Sequence, residues 1–429
     1  MTTATPPTPT TGEAGHGLDE LSALVAEQHS RRPPARSLWW RLGYPVALVL
    51  LVLAIPALVF VGLRVILDST DGQLVRRVTD PTAPGYEAVL EPTPTELVVA
   101  VDPNGKLDSA TILALTSDGV GGVMTVPAGA VVPVGDGGLS LRYMYDNFGL
   151  ETFTSGLGDL LDLTFGETQV VKSTEWAALT GPAAPVTVNS PDPVVGPNGA
   201  VVFPKGSVEL QASEVWPYIS GRGARESDLA RMVRLQAFWK GWLAKIGSAG
   251  TSALTIPTDT GFGHFLTGLS TEQVQYETLP VTVTTPDGQG NEQFRGDPAT
   301  VAKAVASIIP FPEGAPGARP RLRVLDGTGK LDNGVAAAIV LAGAGAQIDV
   351  VGNARSFGQA TTQFVYYDDA YAAQAQKLRD ALGVGEIVRS EQTNSATDMT
   401  VVLGEDYVAA AGTDASTGAS LNTLAGKNG

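Results

Sequence analysis

One stretch of this chain collects charges at spacings that suit work on an anion. Arg222 and Arg225 stand just before Asp228, Arg231, Arg234 and Gln236. Guanidinium groups grip phosphate by paired, charge-assisted hydrogen bonds. The spacing of Asp228, Arg231 and Arg234 places them along one ridge of a helix. Arg225 falls near the start of that helix, where free backbone N–H groups also favour an anion. The plain alternative is a solvated helix face laced by ion pairs at i, i+3. Few other chemistries are open. Cysteine is absent, which removes thiolate ligands, disulfides and cysteine nucleophiles. The three histidines are too few for a histidine-rich metal site or an ordinary Ser-His-Asp triad. The net charge of −16 repels nucleic acid, which is excluded as a partner.

The helix that must carry these residues is the strongest in the sequence. Leu229, Met232, Val233, Trp239, Trp242, Leu243 and Ile246 recur at helical spacing over 227–246, with Ser227 as N-cap. Trp239 and Trp242 read as core residues rather than a sugar platform. Around the helix, Leu97–Val101, Thr111–Leu115, Gly122–Val126, Gln169–Val171 and Pro185–Val188 read as strands, with Gly119–Gly122 as a hairpin connection. Leu139–Phe148 and Gly156–Leu163 read as helices. The interleaving predicts a layered α/β domain over 95–310. A Pro/Gly linker at 311–319 precedes a second unit at 320–408. Its predicted order, β-α-β-β-α-β-β, suggests a small split βαβ sandwich. Few contacts are expected across the linker. Asp326-Gly-Thr-Gly-Lys330 departs from both nucleotide-loop patterns, so its glycines read as turn residues. Asp368-Asp369 reads as a helix cap.

Residues 42–63 are apolar and uncharged for 22 positions, long enough to cross a bilayer, and Trp39 and Trp40 lie before them. We read a transmembrane helix over 42–66, a disordered cytoplasmic tail over 1–41, a juxtamembrane stalk over 67–94, and a disordered tail over 409–429. Arginines 31, 32, 36 and 41 precede the span and 64, 76 and 77 follow it, a bias that sets the bulk of the chain outside the cell membrane.

Several of these segments resemble the LytR-CpsA-Psr (LCP) family with the C-terminal domain of its actinobacterial members, over about 95–248 and 320–408. Asp108-Ser109-Ala110-Thr111 stands where the family has Arg-Ser-Asp-Thr, and Val126-Pro127-Ala128-Gly129 where it has Ile-Pro-Arg-Asp. Leu141–Gly149 is similar to its Asn-Ala-Ala-Tyr…Gly segment, and Asp228–Gln236 to Asp-x-x-Arg-x-x-Arg-Gln-Gln. Val324–Gly329 and Val401–Tyr407 resemble the motifs that open and close the C-terminal domain.

The resemblance implies a single-span envelope protein that transfers a polyprenyl-pyrophosphate-linked glycopolymer to the cell wall, with magnesium on acidic residues and arginines on the phosphates. The departures remove two carboxylates and two guanidiniums, at 108, 110, 128 and 129. No catalytic or metal-binding residue is assigned, and magnesium is expected only if the family activity survives. The reading is a degenerate member that binds polyprenyl phosphate in the membrane lipid, a cell-wall polymer or an envelope partner, as scaffold or regulator, through Arg222, Arg225, Asp228, Arg231, Arg234 and Gln236. The alternative is an active phosphotransferase.

Overall fold

The computed structural model describes residues 78–411, apart from 117–118, 136, 197, 224–225 and 393–395. The span read over 42–66 and both tails lie outside the described residues, save for the first residues after 408. Among the described residues no helix is long and apolar enough to cross a membrane.

The first sheet has five strands. Thr95–Val101 (β2) lies at its heart, antiparallel to Leu107–Leu115 (β3), which is antiparallel to Val120–Pro127 (β4). Glu167–Lys172 (β5) joins β2 in parallel, and Gln273–Thr278 (β6) joins β4 in parallel. All seven residues of β2 are buried because both faces of the sheet are covered. Val98 and Ala100 point to one core, with the long helix Asp228–Ala249 and the helix Gly261–Thr271. Leu97, Val99 and Val101 point to the other, with the helices Leu150–Leu161 and Pro298–Ile308. This is the expected layered α/β arrangement.

Trp239 and Trp242 are wholly buried and pack edge-on with Trp176 and Phe262, so they are core as read. The reading of Gly119–Gly122 as a hairpin connection is corrected, since β4 begins at Val120. A Cβ on Gly121 would meet Leu269 at 2.2 Å, and one on Gly122 would meet Ile308 at 2.6 Å. These glycines are strand residues that let helices lie close to the sheet.

The second sheet runs in the order Glu87–Val89 (β1), Gln347–Asn353 (β8), Arg321–Asp326 (β7), Met399–Leu403 (β11), Gln363–Tyr366 (β9), Glu386–Arg389 (β10). Along the chain the elements follow the predicted β-α-β-β-α-β-β order, but the split topology is corrected. β7 and β8 are parallel neighbours, as are β9 and β10, so neither βαβ unit is split. The inserted strand is β11, between the two units, parallel to β7 and antiparallel to β9. Its residues Met-Thr-Val-Val-Leu are nearly all buried, which suits the middle of a sheet covered on both faces. Asp368 does cap the turn before the helix Ala372–Leu382, accepting from the Ala370 N–H at 2.9 Å.

Two boundaries differ from the sequence reading. The stalk segment contributes β1, antiparallel to β8, so 87–89 belong to the C-terminal sheet. Asn353 fixes the approach by donating to the carbonyls of Pro81 and Ala83. The Pro/Gly run near 311–319 is crossed by bonds, and the described residues from Val78 onward form one compact unit. The Phe311 carbonyl accepts from the Thr93 N–H, and Glu313 from Thr164. Arg319 donates to the carbonyls of Asp162 and Ala342 at 2.8 and 2.9 Å, tying the first α/β layer to the helix Leu331–Gly343. The prolines and glycines shape the path of this segment, while the arginine supplies the attachment that composition does not reveal.

Candidate functional site

The site gathers where the long helix begins beside the end of β4 and the start of β3. Ser227 caps the helix, its hydroxyl accepting from the Leu229 N–H at 3.3 Å. The helix then buries Asp228, Arg231 and Arg234, each 1% exposed. Neither sequence reading of this ridge holds in that respect. It is not a solvated face, and its guanidiniums do not stand open to an anion.

Each guanidinium is already engaged. Arg231 lies between two carboxylates, with Nε donating to Asp228 Oδ1 at 2.7 Å and one terminal nitrogen to Asp108 Oδ2. Its other terminal nitrogen donates to the Asp108 carbonyl at 2.8 Å. Burial opposes the charge on Arg231, but Asp108 and Asp228 outweigh it and hold the group firmly protonated. Burial likewise pushes the Asp108 carboxyl up, against the pull of Arg231. Arg234 donates from Nε to the Tyr218 carbonyl at 2.8 Å, and from its terminal nitrogens to Glu226 and the Gly221 carbonyl. Burial lowers its pKa, with Glu226 acting in opposition.

Arg222 is the more exposed member. It donates to Glu292 Oε2 at 2.6 Å and to the Glu226 carbonyl at 3.1 Å. The same Glu292 oxygen accepts from the Asp228 backbone N–H at 2.9 Å. An internal carboxylate thus already sits at the helix start, where the sequence suggested an outside anion. Gln236 is half-buried further along the helix, and Arg225 lies outside the described residues. The structure therefore brings Arg222, Asp228, Arg231 and Arg234 together. It adds Asp108, Glu226 and Glu292, which sequence reasoning had not connected to them. Asp108 was noted only as a lost arginine, and nothing in local spacing marks Glu292, which lies far along the chain.

The positions of departure are closed structurally as well as chemically. Ala110 is 2% exposed and belongs to the apolar core opposite the long helix. Ala128 is similarly buried. A Cβ on Gly129 would lie 2.2 Å from the Glu292 carbonyl oxygen. The Gly129 carbonyl accepts from the Phe294 N–H at 2.9 Å, so the hairpin of Val281–Val283 and Phe294–Gly296 packs directly on this turn. Among the described residues no group of three or more His, Asp or Glu side chains is placed to hold a metal ion. The carboxylates present face guanidiniums, and Ala110, Ala128 and Gly129 supply no ligand. The residues do not fit a magnesium ion.

A separate carboxylate pair lies in the same sheet. Glu96 on β2 is opposite Glu167 on β5 in register, and Glu96 is 2% exposed. Burial, reinforced by Glu167, raises the Glu96 pKa to about 8.

Residues 319–407 match the LytR_C family, described as LytR cell envelope-related transcriptional attenuator. The C-terminal part is a LytR_C domain, as the resemblance implied. No curated protein matches the chain in sequence. Among solved structures, TagT bound to LIIa-WTA is similar at 18% identity, covering 55% of this chain and 94% of that one, with a TM-score of 0.42. TagV of B. subtilis is similar at 14% identity, over 51% and 96%, with a TM-score of 0.41. A Streptococcus agalactiae protein, gbs0355, is similar at 17% identity, over 51% and 86%, with a TM-score of 0.42.

Proposed function

We propose that this chain is a non-catalytic cell-envelope protein of LCP type, a scaffold or regulator that binds a cell-wall polymer or an envelope partner without transferring it. The observation that carries the reading is the neutralisation of Arg231 by Asp108 and Asp228 within the fold. Phosphoryl transfer depends on positive charge free to meet the phosphate oxygens. Here that charge is matched by the protein's own carboxylates. The LytR_C match supports an envelope role. The apolar run over 42–63 supports anchoring in the cell membrane with the bulk outside. A polyprenyl-phosphate lipid is the nearest ligand for a protein held there.

The test is turnover of a polyprenyl-pyrophosphate-linked glycan by the full chain in detergent with magnesium, alongside retention on purified cell walls. Retention without turnover is expected. Robust magnesium-dependent turnover would replace this reading with the phosphotransferase. External protease on spheroplasts should remove the 95–408 region, and protection of that region would invert the topology.

A further inference from the structure

Where the first α/β layer meets the C-terminal domain, the chain forms a cavity that none of the site residues above lines. Its volume is about 230 Å³. A cavity of about 150 Å³ holds a benzene ring, so this one has room for a small organic molecule. Both parts contribute to the lining. The helices Leu150–Leu161 and Pro298–Ile308 come from the first. The end of the helix Leu331–Gly343, and Lys377 of the helix Ala372–Leu382, come from the second. Val301 and Val305 make a buried apolar wall, and Ala302 on the same helix adds only a methyl group. Junctions between packed parts of a chain are frequent ligand sites.

Four charged side chains belong to the lining, two of each sign. Arg319 is 6% exposed and pairs with Asp162 Oδ2 at 3.0 Å, a carboxylate with further acceptor capacity. Lys377 and Asp159 have no ion-pair partner among the described residues. A Cβ on Gly345 would stand 3.2 Å from Lys377 Nζ and 3.6 Å from Asp162 Oδ2. The missing side chain thus leaves open a point flanked by an ammonium and a carboxylate. The φ of +100° at Gly345 strains any residue but glycine, so the opening is fixed in the backbone. Gly343 lines the cavity too. The N–H groups of Gly345, Ala346 and Gln347 go to the carbonyls of Ala342, Leu341 and Pro320, which leaves the Gly343 carbonyl able to accept. Such a helix end favours a cation.

We propose that this cavity binds a free aliphatic α-amino acid. Its carboxylate meets Lys377, its ammonium meets Asp162 and the Gly343 carbonyl, and its side chain lies on Val301 and Val305. A simple anion would leave the acidic groups unanswered and face Asp159 as well, and a simple cation would face Lys377. A zwitterion answers both signs at the one point that Gly345 leaves open. Because the lining comes from both parts, an occupied site adds to the attachment that Arg319 provides. The site is separate from the arginine network and does not rest on the function proposed for it.

The experiment is titration calorimetry on the full chain in detergent, with L-leucine and D-leucine as probes. The controls are 4-methylpentanoate, 3-methylbutylamine and glycine, which lack the ammonium, the carboxylate and the aliphatic body in turn. One leucine should bind at least about tenfold more tightly than every control. Lys377→Met should weaken that binding by about tenfold or more. Lys377 is exposed, so this variant keeps the fold. Ala302→Leu, which fills the apolar wall without touching a charge, should weaken it as well. Amide exchange over 298–308 and 331–345 should slow when leucine is bound. Failure of both leucines to bind, a control that binds as tightly, or binding unchanged by Lys377→Met each overturns the site. Cell-wall retention tests the functional reading separately, since leucine binding is read without any polymer.

Discussion

The same side-chain types form ion pairs in both sheets, with different consequences. At the first sheet, Arg231 is sealed between Asp108 and Asp228, with 1% of its side chain exposed. At the second, Arg323 of β7 reaches Glu87 of β1, with side chains 25% and 38% exposed. The first pair has surrendered most of its hydration, so its members depend on each other. Water can replace either member of the second. Burial therefore separates a network that the fold cannot lose from a contact that mainly aligns an edge strand.

Removing Arg231 is the most severe way to test this contrast. Arg231→Ala leaves Asp108 and Asp228 buried together without a counter-ion and should cost about 3–5 kcal/mol in chemical denaturation. A loss under 1 kcal/mol would mean that the network is far wetter than its burial implies. Gly129→Asp comes next. It restores the carboxylate expected from the family resemblance but drives a Cβ against the Glu292 carbonyl. It should destabilise by about 1–3 kcal/mol and confer no magnesium-dependent turnover. Turnover in that variant would show that the turn yields more readily than its packing suggests.

Glu96→Gln acts through pH. The folded chain holds a proton on Glu96 up to about pH 8, whereas the unfolded chain releases it near the ordinary value of 4.5. Stability contributed by the protonated form is therefore lost as pH rises between these values. The variant should flatten that slope and be more stable than the unmodified protein by on the order of 1 kcal/mol at pH 8, with little difference at pH 4. Parallel pH profiles for the two proteins would remove Glu96 as the cause. The smallest effect belongs to the second sheet, where Arg323→Ala should cost less than about 1 kcal/mol. A larger loss would erase the contrast between the sheets.

What could be read along the chain was local. The apolar run at Leu97–Val101 and the 3–4 spacing after Ser227 lead directly to β2 and the long helix, because burial on two faces and helical periodicity both mark neighbouring residues. The arginine ridge was visible for the same reason. Its occupants were not. Asp108 and Glu292 meet the ridge only through tertiary packing, and spacing carries no information about partners so distant in sequence. The position of β11 was hidden similarly, since an order of strands along the chain does not dictate their order in a sheet. Arg319 sits in a run of prolines and glycines that reads as a spacer, although its side chain fastens the two parts together.

The edge strand β1 also has a consequence for synthesis. Glu87–Val89 leaves the ribosome early, but its partner β8 is made only after the whole first sheet and its helices. During that interval the short strand has no sheet to join, and the first α/β layer must close without it. A chain stopped before Gln347 would thus leave its amino-terminal approach untethered however well the first sheet had folded. Attachment of the region preceding β1 is in this way a late event, reporting that translation has passed into the C-terminal domain.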